Sequence, residues 1–274
     1  MVVVRLYRSN LRKLIRRPAT WVTFLLLDLL VALIFLAITA GANQTARQQE
    51  SLASRAFVTF PGAYQGALSI VLGIGGMLSV TYGAAIAGSE WGWGTLKAAI
   101  ARGEGRIRYV LAGYAGVATY TILGLGMAFL VGVVAAAIGA SLIGVSLAGM
   151  SDSTALGGLP ELLARGALSV SMSAAIGFAI ATVARSQLAG IGVGIGVYFA
   201  EGIASVFLPD IIRWGPFSAA GAVVARASTG AGGPGGGGGG TSLDPNTAVM
   251  VVAAWLVAAL VVSSAWTERA EISG

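Results

Sequence analysis

The sequence predicts an all-α integral membrane protein with six transmembrane helices, and three observations predict it. Hydrophobic residues make up 56% of the 274-residue chain and charged ones only 10%, against the roughly half-apolar, quarter-charged make-up of a soluble domain. Several windows of about twenty residues carry no charge, enough for a helix rising 1.5 Å per residue to cross a hydrocarbon core of roughly 30 Å. Those windows are continuously apolar and rich in Ala, Leu and Gly, whereas a transmembrane barrel needs segments of about ten residues that alternate apolar and polar.

Absences narrow the chemistry. With no His and no Cys, imidazole acid–base work, thiol catalysis, disulfides and the commonest zinc sites are removed. Lys13 and Lys97 are the only lysines and neither sits in a GxxxxGK[ST] loop, so the chain has no phosphate cradle for ATP. Asp28, Asp152, Asp210 and Asp244 are scattered along the chain, not clustered as a metal-dependent phosphotransferase requires. No catalytic residue, metal site or cofactor is expected here, and any nucleotide energy would have to come from a partner.

The elements follow in chain order. Over residues 1–19, Val4, Tyr7, Leu11, Leu14 and Ile15 recur at helical spacing while Arg5, Arg8, Arg12, Lys13, Arg16 and Arg17 hold the other faces. This pattern predicts an amphipathic interfacial helix, its stripe in the acyl boundary and its six cations on anionic headgroups. Pro18 breaks it. Spans one and two (20–41 and 64–88) occupy residues 20–88. A polar interruption fills 89–107, and spans three to five (108–140, 164–184 and 188–208) fill 108–208. The connection at 209–246 holds most of an apolar but Pro-interrupted stretch, 206-VFLPDIIRWGPFSAAGAVV-224, and the tract 230-GAGGPGGGGGG-240. The first is too short to span and predicts a re-entrant or interfacial element. The second reads as a slack linker. Span six (247–266) and a short tail occupy residues 247–274, and all the spans form a single transmembrane domain.

Orientation follows from cation asymmetry. Twelve of the seventeen Lys and Arg lie in the N-terminal helix, the 89–110 stretch (Lys97, Arg102, Arg106 and Arg108), Arg185 and Arg269. The other five, Arg47, Arg55, Arg165, Arg213 and Arg226, lie in the alternate pieces. Both termini are therefore expected to face the cytoplasm, in a multi-pass protein of the cytoplasmic membrane. The pairs Gly190/Gly194, Gly192/Gly196, Gly83/Ala87 and Ala84/Gly88 predict close helix–helix contacts. Asp28 and Glu201 fall inside spans one and five at different depths, where an ionised carboxylate costs at least about 2.5–3.5 kcal/mol. They are candidate substrate-pathway residues, with protonation or a local hydrogen bond as the alternative.

The interruption reads 89-SEWGWGTLKAAIARGEGRIRYV-110. Thr95 is expected to cap a short helix whose Leu96, Ala99 and Ile100 share one face, stopped by Gly103 and Gly105. Trp91 and Trp93 are expected at headgroup depth. Glu90, Gly94-Thr95-Leu96, Lys97, Gly103 and Arg106 resemble a pattern of the permease subunits of ABC-2 type ATP-binding-cassette transporters: an acid, Gly-Thr-Leu, a base, a Gly or Pro, and an Arg. The basic N-terminal elbow helix, six spans, cytoplasmic termini and broken element before the last span are similar too, over nearly the whole chain. Two positions depart from the pattern: Glu104 stands where an uncharged residue is commoner, and Trp-Gly-Trp precedes Gly94.

The resemblance implies that this segment is a cytoplasmic coupling helix that inserts into a separate ATP-binding-cassette ATPase. The docking residues it implies are Glu90, Trp91, Gly94, Thr95, Leu96, Lys97, Ile100, Arg102, Gly103 and Arg106. It also implies that ATP and Mg are bound by that ATPase, and that two permease copies, as a homodimer or a similar heterodimer, pair with two ATPases. The expected function is export of an amphipathic or hydrophobic compound, with no nucleic-acid partner. Two other readings remain: an ion-gradient-driven secondary transporter using Asp28 or Glu201, and a non-transporting membrane anchor.

Overall fold

In the computed structural model, which describes residues 2–42, 54–224 and 243–270, the described chain is helical throughout. Helix α1 (Val2–Ile15) is followed by α2 (Pro18–Ala42), α3 (Gly62–Gly92), the short α4 (Thr95–Ala101) and α5 (Arg106–Leu142). After a 3-10 turn at Ala148–Ser151 come α6 (Ser153–Ala184), α7 (Gln187–Phe207), the short α8 (Pro209–Ile212) and α9 (Pro216–Ala222), and α10 (Pro245–Arg269). Helices α2, α3, α5, α6, α7 and α10 are each long and apolar enough to cross a membrane. The Gly-rich tract at 230–240, with Arg47, Arg226 and the last four residues, lies outside the described residues.

Pro18 both ends the first element and opens the second, since its fixed φ suits a first helical turn and its missing N–H is an orphan there anyway. Five of the six spans are longer than hydropathy alone predicts, α6 by the most. Helix α6 starts at Ser153, eleven residues before the predicted 164, because Asp152 caps it: one carboxylate oxygen accepts from the Thr154 and Ala155 amides at 2.8 and 3.1 Å. Its first turns carry Glu161 and Arg165, which an apolar window rejects. Helix α5 runs 37 residues, roughly 55 Å at 1.5 Å per residue.

Helix α3 is the axis of the bundle, with α6, α7 and α5 packed around it. Backbone meets backbone in the α3–α6 crossing: a Cβ at Gly83 would strike Ala174, and one at Gly177 would strike Val80. Such approach is the use that membrane helices make of small residues. Gly190 and Gly194 likewise face Ala181 and Val80, but Gly192 and Gly196 have no neighbour within 4 Å. Among the described residues the expected second pair is thus an outward face, and only the first makes a contact inside the chain. Val31, Phe35, Leu68, Val71 and Met172 fill one core cluster, and Leu14, Tyr82, Val117, Tyr114 and Phe178 the other. Leucines and valines on α2, α7 and α10 remain exposed, which suits helices surrounded by hydrocarbon rather than water.

The pieces of chain that carry most of the cations share one end of the bundle. Arg185 stacks over Trp91, Arg106 reaches the carbonyls of Glu268 and Ala270, and Lys13 and Arg17 reach Glu90. The opposite end joins Tyr64 to the Met150 carbonyl, Gln65 to the Val224 carbonyl and Arg165 to Asn246. The 206–224 stretch is two short helices broken at Trp214–Gly215, and α9 folds back onto α10, α6, α3 and α7 with Phe217 and Ala219 buried.

Candidate functional site

The short helix between spans two and three forms where the sequence places it, but its start differs from expectation. Gly94, not Thr95, is the N-cap, at φ +65°. That left-handed conformation turns the chain sharply out of α3 and strains any residue with a Cβ. The Thr95 hydroxyl points back instead, donating to the Glu90 carboxylate at 2.6 Å and approaching its carbonyl at 3.2 Å. At the other end Gly103 sits at φ +87°. Its amide donates to Ile100 and the Glu104 amide to Ala99, at 2.9 and 3.3 Å. This Schellman arrangement satisfies the last carbonyls of α4. The glycines of the motif therefore fix both ends of a seven-residue helix.

The apolar face of α4 also corrects expectation. Leu96 and Ala99 are 3% and 2% exposed, packed onto the chain's own bundle, with Ile100 half-buried. A seven-residue helix cannot stand alone in water, so its apolar residues are used to seat it. The outward face carries Lys97, Ala98, Ala101 and Arg102, all exposed.

Beneath this helix Glu90, at the end of α3, is the meeting point of four elements. One of its carboxylate oxygens accepts from Lys13 Nζ and Arg17 Nη2, both from the N-terminal segment, the latter at 3.4 Å. The other accepts from Thr95 at the start of α4 and from the Tyr109 hydroxyl of α5. Arg17 also donates to Ser89 Oγ at 2.7 Å. The Glu90 side chain is 14% exposed and that of Arg17 12%, so the ion pairs are little screened, and charge-assisted bonds of this kind are about twice as strong as neutral ones. Glu90 is thus an internal tie, not a residue presented to a partner.

The remaining implied docking residues divide. Arg106 turns away to α10, donating through Nη1 to the carbonyls of Glu268 at 2.7 Å and Ala270 at 2.9 Å. It closes the C-terminal end of that helix, where a cation also meets the negative end of the dipole. Trp91 is half-buried under the Arg185 guanidinium, 5.1 Å from its ring centroid, while Trp93 is exposed with Arg17 4.8 Å over its ring. Both indoles stack on cations and neither is a simple headgroup anchor. Of the six cations expected at the membrane surface, Arg5, Arg8, Arg12 and Arg16 are exposed, whereas Lys13 and Arg17 turn inward. Most of the apolar stripe of α1 is likewise turned to protein: Leu14 is buried, Tyr7 shares a hydrogen bond with Thr119, and Tyr120 donates to the Leu11 carbonyl, whereas Ile15 stays exposed. The side chain of Val4 lies outside the described residues.

Glu201 is buried on α7, and its carboxylate accepts the amide of Ser218. Ser218 is the third residue of α9, so Glu201 caps that helix from a neighbouring element. Asp28 is half-buried on α2, with Oδ1 shielded from solvent and without a hydrogen-bond partner. The two carboxylates do not meet. Sequence reasoning missed Tyr109 and Ser89, whose roles appear only once α1, α3 and α5 are assembled.

Among known families, the model described as ABC-2 family transporter protein matches residues 4–213, which includes nearly all of the N-terminal helix, the first five spans and the whole Glu90 junction. No curated protein matches the chain.

Proposed function

The chain belongs to the ABC-2 transporter family, and from that premise we propose that this permease exports an amphipathic or hydrophobic compound using a separate ATPase that grips the outward face of α4. The observation that carries the reading is the Glu90 junction, which makes α4 continuous with α1, α3 and α5 through one carboxylate. A force on α4 is then delivered to the ends of three helices at once. Two of these, α3 and α5, cross the bundle, and α3 touches α6 and α7 through glycine contacts that let helices slide.

In this account the α4 end is cytoplasmic, as the cation asymmetry favours. The ATPase binds ATP and Mg and supplies the phosphate chemistry; this chain supplies the seat and the pathway. The seat presents two cations flanking two alanines, which suits an acidic, shallow groove better than an apolar cleft. A second permease copy, identical or similar, completes the pathway, with Gly192 and Gly196 of α7 facing no other described residue within 4 Å. Asp28 remains a pathway residue. For Glu201 we favour the capping role over substrate contact.

The test is purification of the tagged chain in mild detergent, probing for a P-loop ATPase. Ala98→Trp and Ala101→Trp place bulk on the exposed face while Leu96 and Ala99 keep their seats. Both variants should melt like the wild type and lose the ATPase; retention in both would reject the docking face. The ion-gradient reading draws on the unpartnered oxygen of Asp28. Vesicle transport that survives vanadate and collapses with an uncoupler would favour it instead.

A further inference from the structure

The exposed cations of the N-terminal helix form a line, not a scatter. At 100° per residue, Arg5, Arg8 and Arg12 fall within an arc of about 60°, and Arg16 continues the line in the turn that follows. The opposite side of α1 is fixed by Leu14, Tyr7 and the Tyr120 bond to Leu11, so the arginine line points away from the bundle. Arg5 has a distant partner in Glu104 at 3.6 Å. Among the described residues, no ion pair involves Arg8, Arg12 or Arg16.

The line also stands at the edge of the apolar surface. Soon after Pro18 the exposed large apolar residues of α2 include Trp21, Val22 and Leu25, and the Trp21 indole donates to the Ile15 carbonyl at 2.8 Å. An indole at that height, with cations on one side and exposed aliphatics on the other, marks the interface between headgroups and acyl chains. The two cations next to the line in sequence, Lys13 after Arg12 and Arg17 after Arg16, are the ones that hold Glu90.

We propose that Arg8, Arg12 and Arg16 form a headgroup site for anionic phospholipid, and that its occupancy steadies α4 by holding Lys13 and Arg17 on Glu90. The charge supplies the recognition: three guanidiniums without a counter-ion among the described residues, each a multiple donor suited to a phosphodiester. The location supplies the source, because a lipid held there keeps its chains against Trp21, Val22 and Leu25. The effect on α4 follows from rigidity, since α1 and the turn after it reach Glu90 through Lys13 and Arg17, and releasing α1 loosens both.

The experiment uses the purified permease in nanodiscs of phosphatidylcholine alone or with phosphatidylglycerol. Lipid retention is read by native mass spectrometry, and hydrogen exchange is followed over residues 90–101. The wild type should retain phosphatidylglycerol over phosphatidylcholine and exchange more slowly at 90–101 when it is present. An arginine near an anionic surface contributes roughly fivefold in affinity. The triple variant Arg8→Gln/Arg12→Gln/Arg16→Gln should therefore bind on the order of a hundredfold more weakly and lose the lipid effect on exchange, with wild-type melting in phosphatidylcholine. Unchanged retention by the triple variant overturns the site, as does equal displacement of the lipid by soluble glycerol phosphate. Retention lost without any lipid effect on wild-type exchange overturns the link to α4. The importance of α4 rests on the docking reading above, but neither measurement needs the ATPase, so the two fail separately.

Discussion

Replacing Glu90 by Gln isolates the charge at the centre of the junction while keeping its shape. Lys13 and Arg17 share one carboxylate oxygen, and Thr95 and Tyr109 share the other. An amide has only one acceptor oxygen. Turned toward the cations it leaves an NH2 facing the two hydroxyls, which accept as well as donate and so adapt. The loss is then confined to two charge-assisted bonds, and hydrogen bonds to charged groups contribute about 1.5–3 kcal/mol each. Lys13 is about one-third exposed, which screens its share, and the longer Arg17 contact is the weaker of the two. The expected cost is on the order of 2–3 kcal/mol. It should appear as a lower apparent melting temperature of the detergent-purified protein, by about 5 °C, with faster hydrogen exchange across α4 and the C-terminal turn of α1. Thr95→Val is the companion: it removes one bond from α4 and leaves the ion pairs, so exchange should rise in α4 alone. Wild-type melting and exchange in Glu90→Gln would refute the idea that this carboxylate ties the elements together.

The other consequences are more local. Gly94→Ala meets no atom within 4 Å, so its cost is conformational, about 1–2 kcal/mol for φ +65°, and it should weaken ATPase co-purification without aggregating the permease; unchanged co-purification would count against a required turn geometry. Leu96→Asp, buried against the chain's own bundle, should unseat α4 and speed its exchange, and exchange no faster than wild type would contradict the packing. Arg106→Ala strips the carbonyls of Glu268 and Ala270, so exchange and proteolysis should rise at 264–270, with Arg106→Lys intermediate; a silent alanine variant would show the clamp to be idle. Glu201→Ala removes an acceptor from the first turn of α9, at about 1–2 kcal/mol by analogy with a lost N-cap, while Glu201→Gln keeps most of it. Protease cutting within 209–224 in the alanine variant alone is the expected pattern, and equal cutting in both would favour a role for the charge itself.

What the sequence disclosed, and what it withheld, separates by the range of the interaction. The spans are legible because lipid demands continuous apolar windows and satisfied backbone within each one. The short helix was legible from Leu96, Ala99 and Ile100, but the same spacing serves a face turned inward or outward, and only the bundle beneath decides. The roles of Glu90, Lys13 and Arg17 were hidden because the partners lie more than seventy positions apart, and a cation in a basic helix looks like every other. Glu201 resembled a pathway carboxylate because nothing local names Ser218 as its partner. Gly190/Gly194 and Gly192/Gly196 are indistinguishable as patterns, yet one faces Val80 and the other faces away.

The central claim is that an ATPase takes hold of the exposed side of α4, and the absence of cysteine from the chain allows one direct measurement. Ala98→Cys, treated with a short thiol–amine crosslinker in native membranes, should yield one heavier product containing P-loop peptides by mass spectrometry, and addition of ATP should change its yield. A product free of P-loop peptides, or none at all while a cysteine at the α9 end reacts normally, would contradict the account.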